Sequence, residues 1–259
     1  MDIFDSHLLK RTIFINVQSV TEYGDLKDFE AKEPEKYLTW KRMAEKRYKD
    51  EIEADVSLNK LYLEKACFLP EFSKIVAITY AIPELTKEGI QSRKLMKIEG
   101  ENEIELITEF TTMLDVAYSM SHDAKTPIPV LCGHNIIGHD IPLIIKRIIK
   151  YRDELGYEDG RHTIPQILKH HLGCKPWESN VLDTINVWKF NGTDFISLNL
   201  VADLMDLKKT VRLLPKDEIN KMYWTGIEDD SGSTMKEIVL QSMNFTNVTF
   251  QLVREIRKL

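Results

Sequence analysis

The chain has 259 residues, 43% of them hydrophobic and 29% charged, with a formal net charge of −6. Its length fits one large α/β domain with insertions, and its apolar fraction supplies a sizeable core. Several classes are excluded: no apolar run reaches the roughly eighteen residues of a membrane span, Met1 to Lys10 has no apolar signal core, and Cys67, Cys132 and Cys174 stand too far apart for a disulfide framework or a zinc pattern. Scattered cysteines in odd number imply a reducing, cytoplasmic setting. The acidic balance argues against tight non-specific duplex binding but leaves room for a local basic groove.

In chain order, Arg11 to Val17 is short, apolar and β-branched, the pattern of a buried strand. Residues 26–66, rich in Lys, Glu, Tyr and Leu, predict helices with a solvated face, inserted between the first two strands. Lys74 to Ala81 predicts a second buried strand, closed by Pro83, and Lys94 to Ile98 a third. From Glu101 to Tyr118 apolar residues recur at helical spacing. Pro129 to Cys132 predicts a fourth strand. Asp140 to Tyr151 predicts a helix with Asp140 as N-cap and Pro142 in the first turn, where its missing N–H costs nothing. Val181 to Asp183 predicts a short strand; Leu198 to Leu207 and Met235 to Lys258 predict helices; Thr225 to Ser233 has a loop composition. Strands come first and helices alternate with later strands, so the class is α/β with a mixed sheet.

The segment Gly133-His134-Asn135-Ile136-Ile137-Gly138-His139-Asp140-Ile141-Pro142 follows an apolar strand and opens a helix. It resembles the second motif of the DEDD (DnaQ-like) 3′–5′ exonucleases, in which a strand runs into Gly-His-Asn and, a few residues on, an aspartate that ligates metal. Other pieces follow in register. Leu69 to Val76, the helix from Glu103 to Leu114, Lys175-Pro176-Trp177-Glu178, Leu182-Asp183-Thr184, Trp188-Lys189-Phe190, Ser197-Leu198 and Met222-Tyr223-Trp224 resemble, in order, segments of a branch related to the exonuclease domain of B-family DNA polymerases. The resemblance covers about residues 11 to 255. It implies a single exonuclease-like domain over 1–259 with a ribonuclease H-like mixed sheet flanked by helices, and a source among bacteria or their phages, placing the protein in host cytoplasm or virion.

In that family two divalent ions, about 3.5–4 Å apart, grip the scissile phosphate. Carboxylates offset the cost of stripping water from the metal. They come from an Asp-x-Glu pair on the first strand, the Asp of the second motif and an Asp on the last helix, with a Tyr or His four residues earlier to orient water. Here the first-strand acids are replaced by Asn16 and Gln18. On the last helix Phe245 falls on the aspartate and Gln241 on the water-orienting residue; a shift of one puts Asn244 there instead. Asp140 is the one retained acid. A single carboxylate does not hold two dications, so the resemblance implies a pseudo-exonuclease with no cofactor.

His134 and Asn135 either lie along a substrate strand, as the resemblance implies, or fix the strand–helix turn. Lys208, Lys209, Arg212 and Lys216 are the best phosphate-facing patch. Trp177, Trp188, Tyr223 and Trp224 stack on bases or, more commonly for such residues, pack in the core and its rim. Adjacent His170 and His171 point apart on a helix and make no metal pair. Three functions remain open: a module that holds single-stranded nucleic acid without cutting, a scaffold that meets a protein partner in a phage or replication assembly, or an active Mg²⁺- or Mn²⁺-dependent exonuclease rebuilt around Asp140 with Glu22, Asp25 or His139.

Overall fold

The structure is a computed structural model describing residues 3, 7–86, 89–156, 164–175, 178–189, 192, 195–226 and 232–258, with backbone alone considered at 85–93. Pro176, Trp177, Phe190 and most of the 225–233 loop lie outside it. In chain order the elements are β1 (Thr12–Thr21), α1 (Leu26–Lys32), α2 (Pro34–Arg47), α3 (Lys49–Glu53), α4 (Leu58–Lys65), β2 (Ser73–Thr86), β3 (Gly89–Glu99), α5 (Glu103–Asp123), β4 (Val130–Gly133), α6 (Ile141–Lys150), α7 (Gln166–Gly173), β5 (Val181–Asp183), α8 (Thr184–Lys189), α9 (Leu198–Leu204), α10 (Lys216–Gly226) and α11 (Ser233–Ile256). The sheet is mixed, in the order β3-β2-β1-β4-β5. β2 and β3 are antiparallel, and β4 runs parallel to both β1 and β5.

The expected strands and the helical stretch between the first two are present. Pro83, however, does not close the second strand. β2 continues to Thr86, with Pro83 opposite Arg93. A proline removes one donor, and it ends a strand only where that donor has a partner to lose.

The chain divides into two compact units. The first comprises 1–18, 76–213 and 239–259. Its core has two parts. Leu8, Phe14, Val130, Cys132, Leu182 and Phe250 are buried together, with the Phe14 and Phe250 rings edge to face at 5.4 Å. Leu198, Val201, Leu213, Val248 and Leu252 join α9 to α11. β4 is buried at all four residues, as expected of a strand with neighbours on both sides and cover on both faces. The second unit comprises 19–75 and 214–238. Phe29, Trp40, Tyr62 and Phe72 form its aromatic core. Asp25 caps α1 by accepting from the Asp28 N–H, and Ser57 caps α4 by accepting from the Lys60 N–H. Buried Asn220 accepts from the Thr21 N–H at 2.7 Å and donates to the Leu63 carbonyl at 2.8 Å, so one amide ties β1, α4 and α10 together.

One buried charge pair bears on stability. Arg147 of α6, 3% exposed, donates to Glu103 of α5, 8% exposed, at 2.5 Å; the Tyr151 hydroxyl accepts from Arg147 and donates to the same carboxylate, each at 2.9 Å. Removing one partner strands the other in a low dielectric. Glu103→Ala should therefore cost about 3–5 kcal/mol in urea unfolding. Adding Arg147→Met to it should recover most of that loss; no recovery would mean that packing, not charge, is what Glu103 supplies.

Candidate functional site

The motif after β4 folds as it does for steric reasons. Gly133 allows close approach, since a Cβ there would stand 2.9 Å from the Ile136 Cβ and 3.2 Å from the Ile15 carbonyl. Asn135 takes the left-handed conformation (φ 65°, ψ 27°) that asparagine tolerates. A Cβ at Gly138 would lie 2.4 Å from the Asn135 Oδ1, so that glycine makes room for the asparagine side chain. A single π-helical turn, Ile136–Asp140, then leads into α6.

Asp183, at the end of β5, holds this turn. Its Oδ1 accepts from the Asn135 and Ile185 N–H groups at 2.9 and 3.0 Å, and its Oδ2 from the Ile137 N–H at 3.1 Å. Burial pushes the carboxyl above its usual range, against the downward pull of those three donors. Thr184, the next residue, is within 2.9 Å of the His134 Nδ1, while the other ring nitrogen meets the Ile196 carbonyl at 2.9 Å. Because a carbonyl only accepts, Nε2 carries a proton. Burial lowers the His134 pKa, which favours the neutral ring, so the single Thr184 hydroxyl proton is shared between Nδ1 at 2.9 Å and the Gly133 carbonyl at 3.2 Å. Both nitrogens are thus spent on holding the turn, as is the Asn135 N–H.

Asp140 is 4% exposed. It does not cap α6: its backbone is helical (φ −66°, ψ −47°) and its side chain makes no cap bond. The preceding π turn supplies an acceptor in its place, the Ile136 carbonyl taking the Ile141 N–H. Freed from capping, the carboxylate accepts from the Val17 N–H of β1 at 3.4 Å and lies 2.7 Å from the His139 Nδ1. Pro142 sits in the first turn of α6 as expected.

On β1, the Asn16 Oδ1 accepts from the Ser242 hydroxyl of α11 at 2.9 Å. Ser242 lies 2.8 Å from the Thr79 hydroxyl of β2, which is 2.7 Å from the Thr246 hydroxyl. This seam of one amide and three hydroxyls is wholly neutral. Gln18 and Gln241 are each 4% exposed. Asn244 turns elsewhere, accepting from the Thr210 N–H at 2.9 Å and donating to the Val211 carbonyl at 2.6 Å. Phe245 is half-buried against the α9–α11 core. Thus the structure brings Asn16 to Ser242 and Asp140 to the neighbouring Val17 amide.

Several of the other candidates are engaged. Lys209 pairs with Asp203 and reaches the Asn199 Oδ1 at 3.2 Å. Lys208 is exposed, its backbone clamped both ways by the Gln251 amide at 3.0 and 2.8 Å. It lines a cavity of about 490 Å³ with Arg254, Asp206 and Glu255, two cations balanced by two carboxylates. Arg212 is exposed and Lys216 half-exposed. Glu22 pairs with Lys36, and Asp25 is the α1 cap. His170 and His171 bond separately, to the Glu178 carbonyl and the Ser179 hydroxyl. Trp188 packs on the α9–α11 core, and the Lys74 ammonium lies about 5 Å from the Tyr223 and Trp224 rings, at 5.0 and 4.9 Å. Among the described residues, no three His, Cys, Asp or Glu side chains converge as metal ligands.

Sequence reasoning did not single out Ser242, Thr79 and Thr246, and it quoted Asp183 only as part of a motif. The signal was there: Gln241, Ser242, Asn244, Thr246, Asn247 and Thr249, all buried, make α11 unusually polar for a buried helix. No protein-family model matches the chain, and no match to it is found among curated proteins.

Two tests follow. Asp183→Asn keeps one acceptor oxygen and sets an NH₂ against the Ile137 N–H, so it should cost about 1–3 kcal/mol by denaturant unfolding. For His134, the pKa is lowered on folding, so its contribution is fully present above the unfolded value of about 6.5 and is lost as pH falls below it. The thermal midpoint should drop between pH 7.5 and pH 5, and His134→Gln should flatten that slope. Asp183, raised on folding, acts in the opposite sense, so the comparison with His134→Gln, rather than the slope alone, isolates the histidine.

Proposed function

We propose that the chain is a catalytically silent 3′–5′ exonuclease-like protein of the ribonuclease H-like class, which binds a partner without cutting nucleic acid. The observation that carries this reading is the neutral seam. Where the resemblance expects an acid facing the last helix, Asn16 instead accepts a hydrogen bond from Ser242, and Thr79 and Thr246 complete the chain. The retained acid, Asp140, is taken up by His139 and the Val17 amide. The five-stranded mixed sheet is compatible with the class. An amide and hydroxyls bring no charge to offset the dehydration of a divalent ion, and a two-metal mechanism needs that charge.

The partner that best suits the surface is a protein. The side chains of His134 and Lys209, two of the residues expected to meet nucleic acid, are spent on internal bonds. Phe195, Leu200 and Leu204, on and just ahead of α9, are 66%, 50% and 64% exposed, an apolar surface of the kind that protein interfaces cover. No helix among the described residues is long and apolar enough to cross a membrane.

Incubated with a 3′-labelled single strand and Mg²⁺ or Mn²⁺, the purified chain should leave the label at full length. It should also leave the fluorescence anisotropy of that strand unchanged at micromolar protein and physiological salt. Digestion abolished by Asp140→Ala would establish a working centre and end the proposal. Tight binding without digestion would keep catalytic silence and replace the protein partner with single-stranded nucleic acid.

A further inference from the structure

A second cavity of about 490 Å³ lies in the first unit, where the residues after α7 meet β5, α8 and the π turn. Ile137, Val181, Leu182 and Val187 supply apolar walls, and His171, Cys174 and Asn186 supply polar ones. The volume falls within the range of small-molecule sites, and most of the wall comes from regular elements. Asp183 also borders it, but its two oxygens already accept from three backbone N–H groups. The His171 Nδ1 is bound to the Ser179 hydroxyl at 2.9 Å, which leaves Nε2 as the open ring nitrogen. Among the described residues, no uncompensated charge therefore faces the cavity.

The thiol is the second element. Cys67 and Cys132 are buried, and burial pushes the Cys67 thiol up to about 12 and that of Cys132 well above its usual value. Cys174 is the cysteine that is not buried, three residues beyond His171 on the wall of the same cavity. Burial and the neighbouring His170 lower the His171 pKa, so near pH 7 its ring is neutral and able to take a proton.

We propose that this cavity binds a small uncharged molecule with an apolar body, and that Cys174 captures such a molecule covalently when it carries an electron-poor carbon–carbon double bond. In that step the sulfur bonds to one alkene carbon, the π bond opens, and the proton lost by the thiol ends on the other carbon, passing through His171 or solvent. Nothing is oxidised or reduced and no group leaves. The proposal stands apart from the reading of the Asn16 seam and survives if that reading fails.

The test compares two maleimides, the apolar N-phenylmaleimide and the anionic N-(2-carboxyethyl)maleimide, on the whole chain. Intact mass and peptide mapping locate the adduct and give its rate, natively and in urea. The expected result is one native adduct, on Cys174, absent in Cys174→Ser. The rate ratio of apolar to anionic reagent should be about tenfold higher in the native chain than in urea, the mark of an apolar cavity. Ile137→Asp, at a position 39% exposed, should bring that ratio back toward the urea value without burying a charge. His171→Gln should slow both reagents alike. Equal ratios in the native and unfolded chain, native labelling of Cys67 or Cys132 in place of Cys174, or no native adduct at all would each overturn the proposal.

Discussion

Three backbone N–H groups converge on one buried carboxylate, and the geometry of the motif depends on them. Asn135, Ile137 and Ile185 all donate to Asp183, so the end of β5 grips both the turn that leaves β4 and the start of α8. Backbone donors at a strand–helix turn have no sheet partner and cannot stay unpaired when buried. Asp183 meets that need with one side chain, and Thr184 extends the grip to His134. The left-handed Asn135, the π turn and the direction in which Asp140 points all follow from a turn held in this way.

The seam between β1 and α11 holds without charge. A cluster of carboxylates is held apart by mutual repulsion unless a cation sits among them. An amide and three hydroxyls have no such requirement: each can both donate and accept, so they close on one another without an ion. The interaction binding β1 to α11 is local and short-ranged.

Much of the fold was legible because the signals were periodic or steric. The apolar runs of β1 and β2, the helical spacing of α5, and the Gly-Asn-Gly steric logic of the turn each depend on near neighbours in the chain. Pro83 misled because whether its missing donor matters depends on the partner strand. Asp140 misled as a cap because the π turn, which three-dimensional packing selects, had already supplied the acceptor. Ser242 was missed for a related reason: a serine in a helix gives no sign of which strand it will meet. Phe245, by contrast, is apolar in sequence and half-buried in the structure, and says little beyond packing. The polar partners in the candidate site were therefore not legible in the sequence.

The seam also has a sense of direction. Asn16 presents its oxygen to Ser242, which fixes the serine proton toward β1 and leaves the serine oxygen to accept from Thr79. The Asn16 oxygen thereby orients the Ser242 and Thr79 hydroxyls in turn. The Thr246 hydroxyl has a second acceptor, the Ser242 carbonyl at 3.1 Å, so its proton is divided between that oxygen and Thr79. One asparagine oxygen thus sets the direction of two hydroxyls, while the backbone of α11 competes for the third.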